Sequence, residues 1–459
     1  MRTEKIVGTL VPLSALHSKH LPKATFKTGE IFLDWLSKTK QSAWQLLPLH
    51  ETQLEKGSPT KHVSSPYKGY GIGIDPKYLS EQDKKTPTAE ELEVFIKDNT
   101  DWLPHYALFC TLRDRFKTDD WTIWDKKFRD RDTASLEKYK RENIKQIQKY
   151  IIQQWQLHSA FASLRKKAKE KNILLIGDIP FYLSIKSPLT WIHQKAFQIE
   201  KDKTLSRVSG VLAGPRAHFG RQVWGHPLYS WGDKKQNEYI IMLWKIRLRY
   251  LAKLYDMVRI DYANGFFYFG SLDLKNEEHD TLETGPGIKI FEEIISYAKS
   301  LHLVLHAEDS SVKQKGLREA LAAFQIYGIR IFRFALNEKL KELVKNYAYV
   351  SNYPKNTVAY TTTHDTEPLL QYLTLLNKEQ RESVARAANV PISTDNKELV
   401  EKLRTAVIHS KAHIVIIPIQ DWLLTKDRIN IPGTEKEIND PNWHYKLHIP
   451  VEDLPLVTY

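Results

Sequence analysis

The runs ILLIGD (residues 173–178) and HIVIIPI (413–419) put apolar side chains on both faces, with none of the alternation of a half-wet strand. That pattern suits strands buried from both sides, as in a parallel sheet covered by helices. Comparable β-branched or apolar runs occur at 6–10, 44–48, 257–261, 303–308, 328–332 and 357–361, each followed by a helix-period stretch. Together they make eight strand–helix units within 459 residues, which predicts an α/β fold of the (β/α)8 TIM-barrel class.

Two intervals are too long for a single crossover and read as insertions into one catalytic barrel domain spanning 1–459. The first, 75–170, reads as a mostly helical subdomain. Thr88 followed by Glu91 forms a capping-box signature, and Ile144, Ile147, Ile151 and Trp155 recur on one face of a long charged helix. The second, 181–229, carries Gly210, Gly214, Pro215, Gly220, Gly225 and Pro227 just past a strand end, so it reads as a loop-rich insertion lining a cleft at the barrel's C-terminal mouth.

Composition narrows the class further. Apolar residues make up 42% and charged residues 27%, which excludes collagen-like and disordered chains. The 68 basic and 55 acidic residues give +13, but signs are mixed along stretches such as 113–143, the pattern of a solvated helical face rather than a nucleic-acid site. Cys110 is the single cysteine, so no intrachain disulfide forms. No apolar run reaches membrane-spanning length and the first twenty residues lack a signal-peptide core, which makes the cytoplasm the expected compartment.

Chemistry is expected where apolar strands finish in polar residues, because packing gives a core strand no reason to end in a carboxylate. Asp178, Asp261, Glu308 and Asp365 all follow such runs. Taken singly, each reads as an ion-paired or capping carboxylate; four converging on one mouth point to sugar chemistry, in which two carboxylates roughly 5 to 5.5 Å apart serve as nucleophile and acid/base. Arg259 shares a strand face with Asp261 and would hold it ionised, or simply pair with it. His364 precedes Asp365 and could donate to a sugar hydroxyl, or be structural. Among the abundant aromatics, Trp224 and Tyr67 lie in loops with little packing need for large rings, so both are placed at the cleft. No HExxH, paired-cysteine zinc spacing or Walker A sequence occurs, and GYGIG at 69–73 precedes Asp-Pro rather than a helix, so it reads as a turn.

These pieces, with GTLVPLSAL, WQLLPL, SSPY, VWGHPLYSW, VRIDYANGF, HAED, TTTHD, PIQDWL and RINIPGT in order along the chain, resemble the 4-alpha-glucanotransferases (amylomaltases, disproportionating enzymes) of glycoside hydrolase family 77. The resemblance implies transfer of α-1,4-glucan segments between maltooligosaccharides by a retaining double displacement, with no cofactor and no metal. It implies Asp261 as nucleophile, Glu308 as general acid/base and Asp365 as a carboxylate gripping sugar hydroxyls. Tyr67, Asp178, Trp224, Arg259, His364 and Asn430 match donor-site contacts or a neighbouring cleft loop. Nothing in the sequence specifies an oligomeric state.

The chain departs from the family pattern on what the resemblance makes the acceptor side. Tyr262 and Asn264 stand where the family usually has His and Arg, LAGPRAHFGR (212–221) replaces a Pro-Pro-Asp-Tyr-Phe loop, residues 186–189 replace an acidic stretch, and Ser310 and Ser311 replace Leu-Gly. Two alternatives follow: an α-glucan hydrolase, if water takes the acceptor's place, or a glucan-binding protein with weakened turnover.

Overall fold

The computed structural model describes residues 4–213, 220–310, 316–336, 349–436 and 438–459. Eight parallel strands occupy the eight predicted runs: β1 Ile6–Leu10, β2 Ala43–Gln45, β3 Leu174–Ile179, β4 Met257–Ile260, β5 Val304–Ala307, β6 Gly328–Ile331, β7 Thr357–Tyr360 and β8 Ile414–Pro418. β1 to β5 pair in sequence, β6 to β8 do likewise, and β8 returns to β1. A parallel bridge from His306 to Tyr327, with the Ala307 N–H donating to the Tyr327 carbonyl (2.8 Å), joins β5 to β6 and closes the barrel. β2 is shorter than the predicted 44–48; it stops ahead of Pro48, which has no N–H for a ladder.

Parity then assigns every strand residue to the lumen or the outer layer. Ile6, Ala43, Ile176, Met257, Val358 and Ile414 pack together inside the barrel, whereas Val7, Trp44, Leu175, Val258, Leu305 and Val415 face the helices. Counting by twos from Ile176 reaches Asp178, and from Met257 reaches Arg259 and Asp261. The lumen side of β5 leads from Val304 through His306 to Glu308. The alternation that fills the barrel with aliphatic side chains therefore delivers these polar groups to its C-terminal mouth.

Between β2 and β3 the chain forms helices Ala89–Asp98, Leu103–Phe116, Thr133–Glu142 and Ile144–Glu170. The capping box forms: Thr88 Oγ1 accepts from the Glu91 N–H (3.2 Å) and Glu91 Oε2 from the Thr88 N–H (2.8 Å). Cys110 is fully buried, and burial pushes its thiol up. The long helix buries Ile147, Tyr150, Ile151, Gln154 and Leu157, but Ile144 is exposed and Trp155 only partly covered, so the buried face is rotated from the predicted one. Ile144 is the helix's first residue and projects past the packed stripe.

The interval 181–229 is more ordered than its glycines suggest. Strands Arg207–Val211 and Gln222–Val223 join Tyr268–Asp273 and Thr281–Thr284 in a separate four-stranded antiparallel sheet. Gly214, Pro215 and Ser311 lie outside the described residues. Arg247, on helix Lys234–Leu254, is buried and donates to the Phe181 carbonyl (3.2 Å), the Tyr229 hydroxyl (3.1 Å) and the Pro180 carbonyl, fixing the chain just after Asp178. Among the described residues, no helix is long and apolar enough to cross a membrane.

Gly177 lets the ring of Tyr255 pack on bare backbone next to Asp178: a Cβ there would sit 2.4 Å from the ring's Cδ2. Gly177→Ala is expected to destabilise the fold by about 1–3 kcal/mol, the range for overpacking, read as a lowered Tm; an unchanged Tm would contradict this contact.

Candidate active site

A cleft of about 530 Å³ opens at the C-terminal mouth of the barrel. Eight of the nine predicted site residues line it: Tyr67, Trp224, Arg259, Asp261, Glu308, His364, Asp365 and Asn430. Asp178 stands behind them, its side chain fully covered by Arg259 and Tyr67.

Arg259 is the hub. Its Nη1 lies 2.7 Å from Asp178 Oδ2, and its Nη2 lies 2.9 Å from Asp261 Oδ1 and 2.8 Å from Glu308 Oε2. The Asp178 contact is a cross-strand pair, because Asp178 and Arg259 are register partners on β3 and β4. Two oxygens held by one nitrogen at those lengths lie no more than about 6 Å apart, compatible with the ~5–5.5 Å of a retaining carboxylate pair and below the ~6.5–9.5 Å of an inverting one. Glu308 is further fixed by the Tyr262 N–H on Oε2 (3.1 Å) and the Ser310 hydroxyl on Oε1 (2.9 Å).

A second set of bonds organises the other carboxylate. Asn430 Nδ2 donates to Asp365 Oδ1 (2.7 Å), and His364 Nε2 lies 3.2 Å from Asp365 Oδ2. The Tyr67 hydroxyl donates to Asp178 (2.9 Å) and lies 3.0 Å from His364 Nε2, while its ring stacks on the imidazole with centroids 5.6 Å apart. Tyr67 thus ties the Asp365 side of the cleft to the Arg259 hub.

The two outer carboxyls respond in opposite directions. Burial raises Asp261 well above the usual carboxylate range, and Glu308, Asp178 and Asp365 add to the rise, while Arg259 opposes it. One guanidinium shared among three carboxylates cannot offset their mutual repulsion. Asp261 accordingly keeps its proton to higher pH than a free carboxylate would. Asp365, also buried, is instead pulled down to about 2 by the charge and hydrogen bond of His364 and by Asn430.

The cleft also holds residues that the sequence reading passed over. Gln45 ends β2, lines the cleft, accepts from the Tyr360 hydroxyl (2.7 Å) and leaves its buried Nε2 without a protein partner. In the sequence it stands inside the run 44–48 rather than at its end, so the signal that marks the four carboxylates does not single it out. Trp443 packs on Tyr67 (5.4 Å) and His364 (5.8 Å); only its place in a polar loop marks it in the sequence. Among the described residues, no group of three or more His, Cys, Asp or Glu side chains is placed to hold a metal ion.

The family model described as 4-alpha-glucanotransferase, glycoside hydrolase 77, matches residues 73–452. The chain belongs to this family. It is 26% identical over 481 residues to the 4-alpha-glucanotransferase of Aquifex aeolicus, covering 96% of this chain and 95% of the relative. It is 28% identical over 482 residues to that of Clostridium butyricum, covering 95% and 94%. Among solved structures, the amylomaltase from Streptococcus agalactiae in complex with acarbose superposes with a TM-score of 0.82 at 21% identity, over 97% of this chain and 95% of that one. The glycoside hydrolase 77 barrel is thus present over nearly its whole length.

The opposed shifts set opposed stability effects. An acid whose folded pKa is raised costs stability once pH passes its unfolded value near ~4, whereas one whose folded pKa is depressed contributes stability above that value and loses it as pH falls toward 2. At pH 7, Asp261→Asn is therefore expected to raise Tm by about 1–3 °C and Asp365→Asn to lower it by a similar amount. Below about pH 4 the Asp261→Asn gain should vanish, because the wild-type carboxyl is then protonated in both states. Thermal melts at both pH values check this; shifts of the same sign at pH 7 would refute it.

Proposed function

We propose that this chain is a retaining 4-alpha-glucanotransferase, acting on maltooligosaccharides and other α-1,4-glucans with Asp261, Glu308 and Asp365 as its reacting and gripping carboxylates. The observation that carries the assignment is the single Arg259 nitrogen shared by Asp261 and Glu308, since so short a separation leaves no room for a water between carboxylate and sugar. Asp261 attacks the anomeric carbon while Glu308 gives its proton to the glycosidic oxygen, and the leaving glucan departs. In the second step Glu308 takes the proton from an acceptor 4-hydroxyl, whose oxygen bonds to the anomeric carbon as the bond to Asp261 breaks.

Asp365, ionised throughout the neutral range, is suited to accept hydroxyl hydrogen bonds from the sugar in the donor position. Its neighbours Asn430 and His364 fix its orientation. Tyr67, Trp224 and Trp443 supply flat apolar surface for pyranose rings, and Asp178 acts through Arg259 and Tyr67 rather than on the sugar itself. Residues 1–459 serve as one catalytic unit, with 75–170 as a mostly helical insertion and 181–229 as the insertion that lines the cleft. The cytoplasm, where maltooligosaccharide pools are soluble, is the compartment that fits this reading.

Incubation with maltotriose alone should yield glucose together with maltopentaose and longer chains, resolved by length over time. Glucose and maltose without longer products would instead establish the hydrolase. Asp261→Asn is expected to lower turnover by about three orders of magnitude or more while sparing glucan binding. An unchanged rate would remove the nucleophile assignment. Because Asp261 must ionise to attack, kcat/KM should fall on the acid side at a pH well above ~4; an acid limb at an ordinary carboxylate value would contradict the crowding described above.

A further inference from the structure

One wall of the cleft is built by the antiparallel sheet rather than by the barrel mouth. Across it runs a single register row: Val223 pairs with Gly210, Gly210 with Gly270, and Gly270 with Leu282. All four residues line the cleft. Directly opposed residues in an antiparallel ladder point to the same face, so the row is two glycines flanked by two apolar side chains, with the Leu272 side chain packed against Gly210 and that of Leu212 against Gly270. At ~4.8 Å per strand it is about 14 Å across.

The glycines have a reason of their own. A Cβ at Gly210 would come within 2.1 Å of the Gln222 carbonyl oxygen, and one at Gly270 within 2.2 Å of that of Gly210. The apolar ends have no such reason. Val223 is 43% and Leu282 47% exposed, and both lie on the outer strands of the sheet, where a protein ordinarily places charged residues to blunt an edge. Because both line the cleft, their aliphatic side chains offer apolar contact to whatever enters it.

Tyr262 connects this row to the carboxylates. Its N–H donates to Glu308, its hydroxyl accepts from the Gly270 N–H (3.4 Å), and its ring meets Trp224 edge-on at 4.7 Å. Glu308 serves the oxygen of the leaving group and of the incoming acceptor. In glucose the 4-hydroxyl and the anomeric carbon are at opposite ends of the ring, so an acceptor with its 4-hydroxyl at Glu308 directs its anomeric substituent away from the reaction, past Tyr262. A further glucose unit laid on the row would set its hydroxyls over Val223 and Leu282, which cannot hydrogen-bond them.

We propose that this wall is an acceptor subsite for the apolar aglycone of a glucoside, an aryl or alkyl group, in preference to another glucose unit. The inference rests on the transferase reading above. The aglycone bond is untouched: the acceptor's 4-hydroxyl proton passes to Glu308, its oxygen bonds to the anomeric carbon of the glycosyl–Asp261 ester, and the ester C–O bond breaks.

The test uses the full chain with maltotriose as donor and glucose, maltose or phenyl α-D-glucoside as acceptor, reading elongated products and acceptor KM. Burial of the phenyl ring should set its KM about tenfold below that of glucose, and below that of maltose. The double variant Val223→Thr/Leu282→Asn should bring the phenyl glucoside and glucose values together, with one of the two single changes accounting for most of the effect. Equal KM for phenyl glucoside and maltose in the wild type, or a preference that the double variant leaves intact, overturns the subsite while leaving transfer standing. If maltotriose is not turned over with any acceptor, the transferase reading fails separately. Titration of phenyl against methyl α-D-glucoside, followed by tryptophan fluorescence, then decides the subsite. Tighter phenyl binding that the double variant abolishes upholds it, and equal affinity overturns it.

Discussion

One buried guanidinium sets the terms for the whole mouth of the barrel. Arg259 meets Asp178, Asp261 and Glu308 at once, and burial, which alone would weaken its charge, is outweighed by those three carboxylates. Three acids so close to one cation cannot all ionise without strain, and removing the cation would leave buried charges uncompensated, a loss of about 3–5 kcal/mol for a broken pair. The arrangement exists because the lumen parity of adjacent strands brings Asp178, Arg259 and His306 into one register line. Fold and chemistry meet in that line: the same alternation packs the barrel and loads its rim with charge.

Immediately after the hub the chain does something costly. Tyr262 adopts the left-handed conformation, with φ +49° and ψ 42°, a region where a bulky residue without glycine's freedom sits at roughly 1–2 kcal/mol of strain. The turn aims its N–H at Glu308. The ring is held against Phe181, Tyr182 and Trp224, so aromatic packing from the 181–229 interval offsets the backbone strain. Residues far apart in sequence thereby fix the orientation of one carboxylate.

The barrel was readable because its strands are local and nearly pure: eight apolar runs coincide with eight strands, and their polar ends coincide with the rim. The antiparallel sheet was not, since it pairs Arg207–Val211 with Tyr268–Asp273 across some sixty residues, and its central glycines have low strand propensity, chosen here by the close approach of neighbouring carbonyls. Asp261 shows the other limit. An arginine two residues away predicts an ionised partner only while it has one partner; the sequence does not reveal that Asp178 and Glu308 arrive from neighbouring strands to share it. Gln45 is hidden for another reason: Leu46 and Leu47 follow it, and only the early end of β2 makes it terminal.

Water competes with every acceptor for the glycosyl intermediate, and nothing in the Asp261–Glu308 geometry distinguishes the oxygen of water from that of a sugar. Discrimination has to come from interactions that an acceptor makes and water cannot. On the proposed assignment Asp365, Asn430 and His364 cannot supply it, because there they hold the sugar already attached. The Tyr262–Trp224 pair and the row that it meets at Gly270 can: apolar surface gains from a ring or aglycone laid against it, while a lone water there finds few polar partners to position it in line with the ester. On the proposed assignment, the transfer to hydrolysis ratio follows from the wall beyond Glu308, which Tyr262 ties to the carboxylates, rather than from the carboxylates themselves.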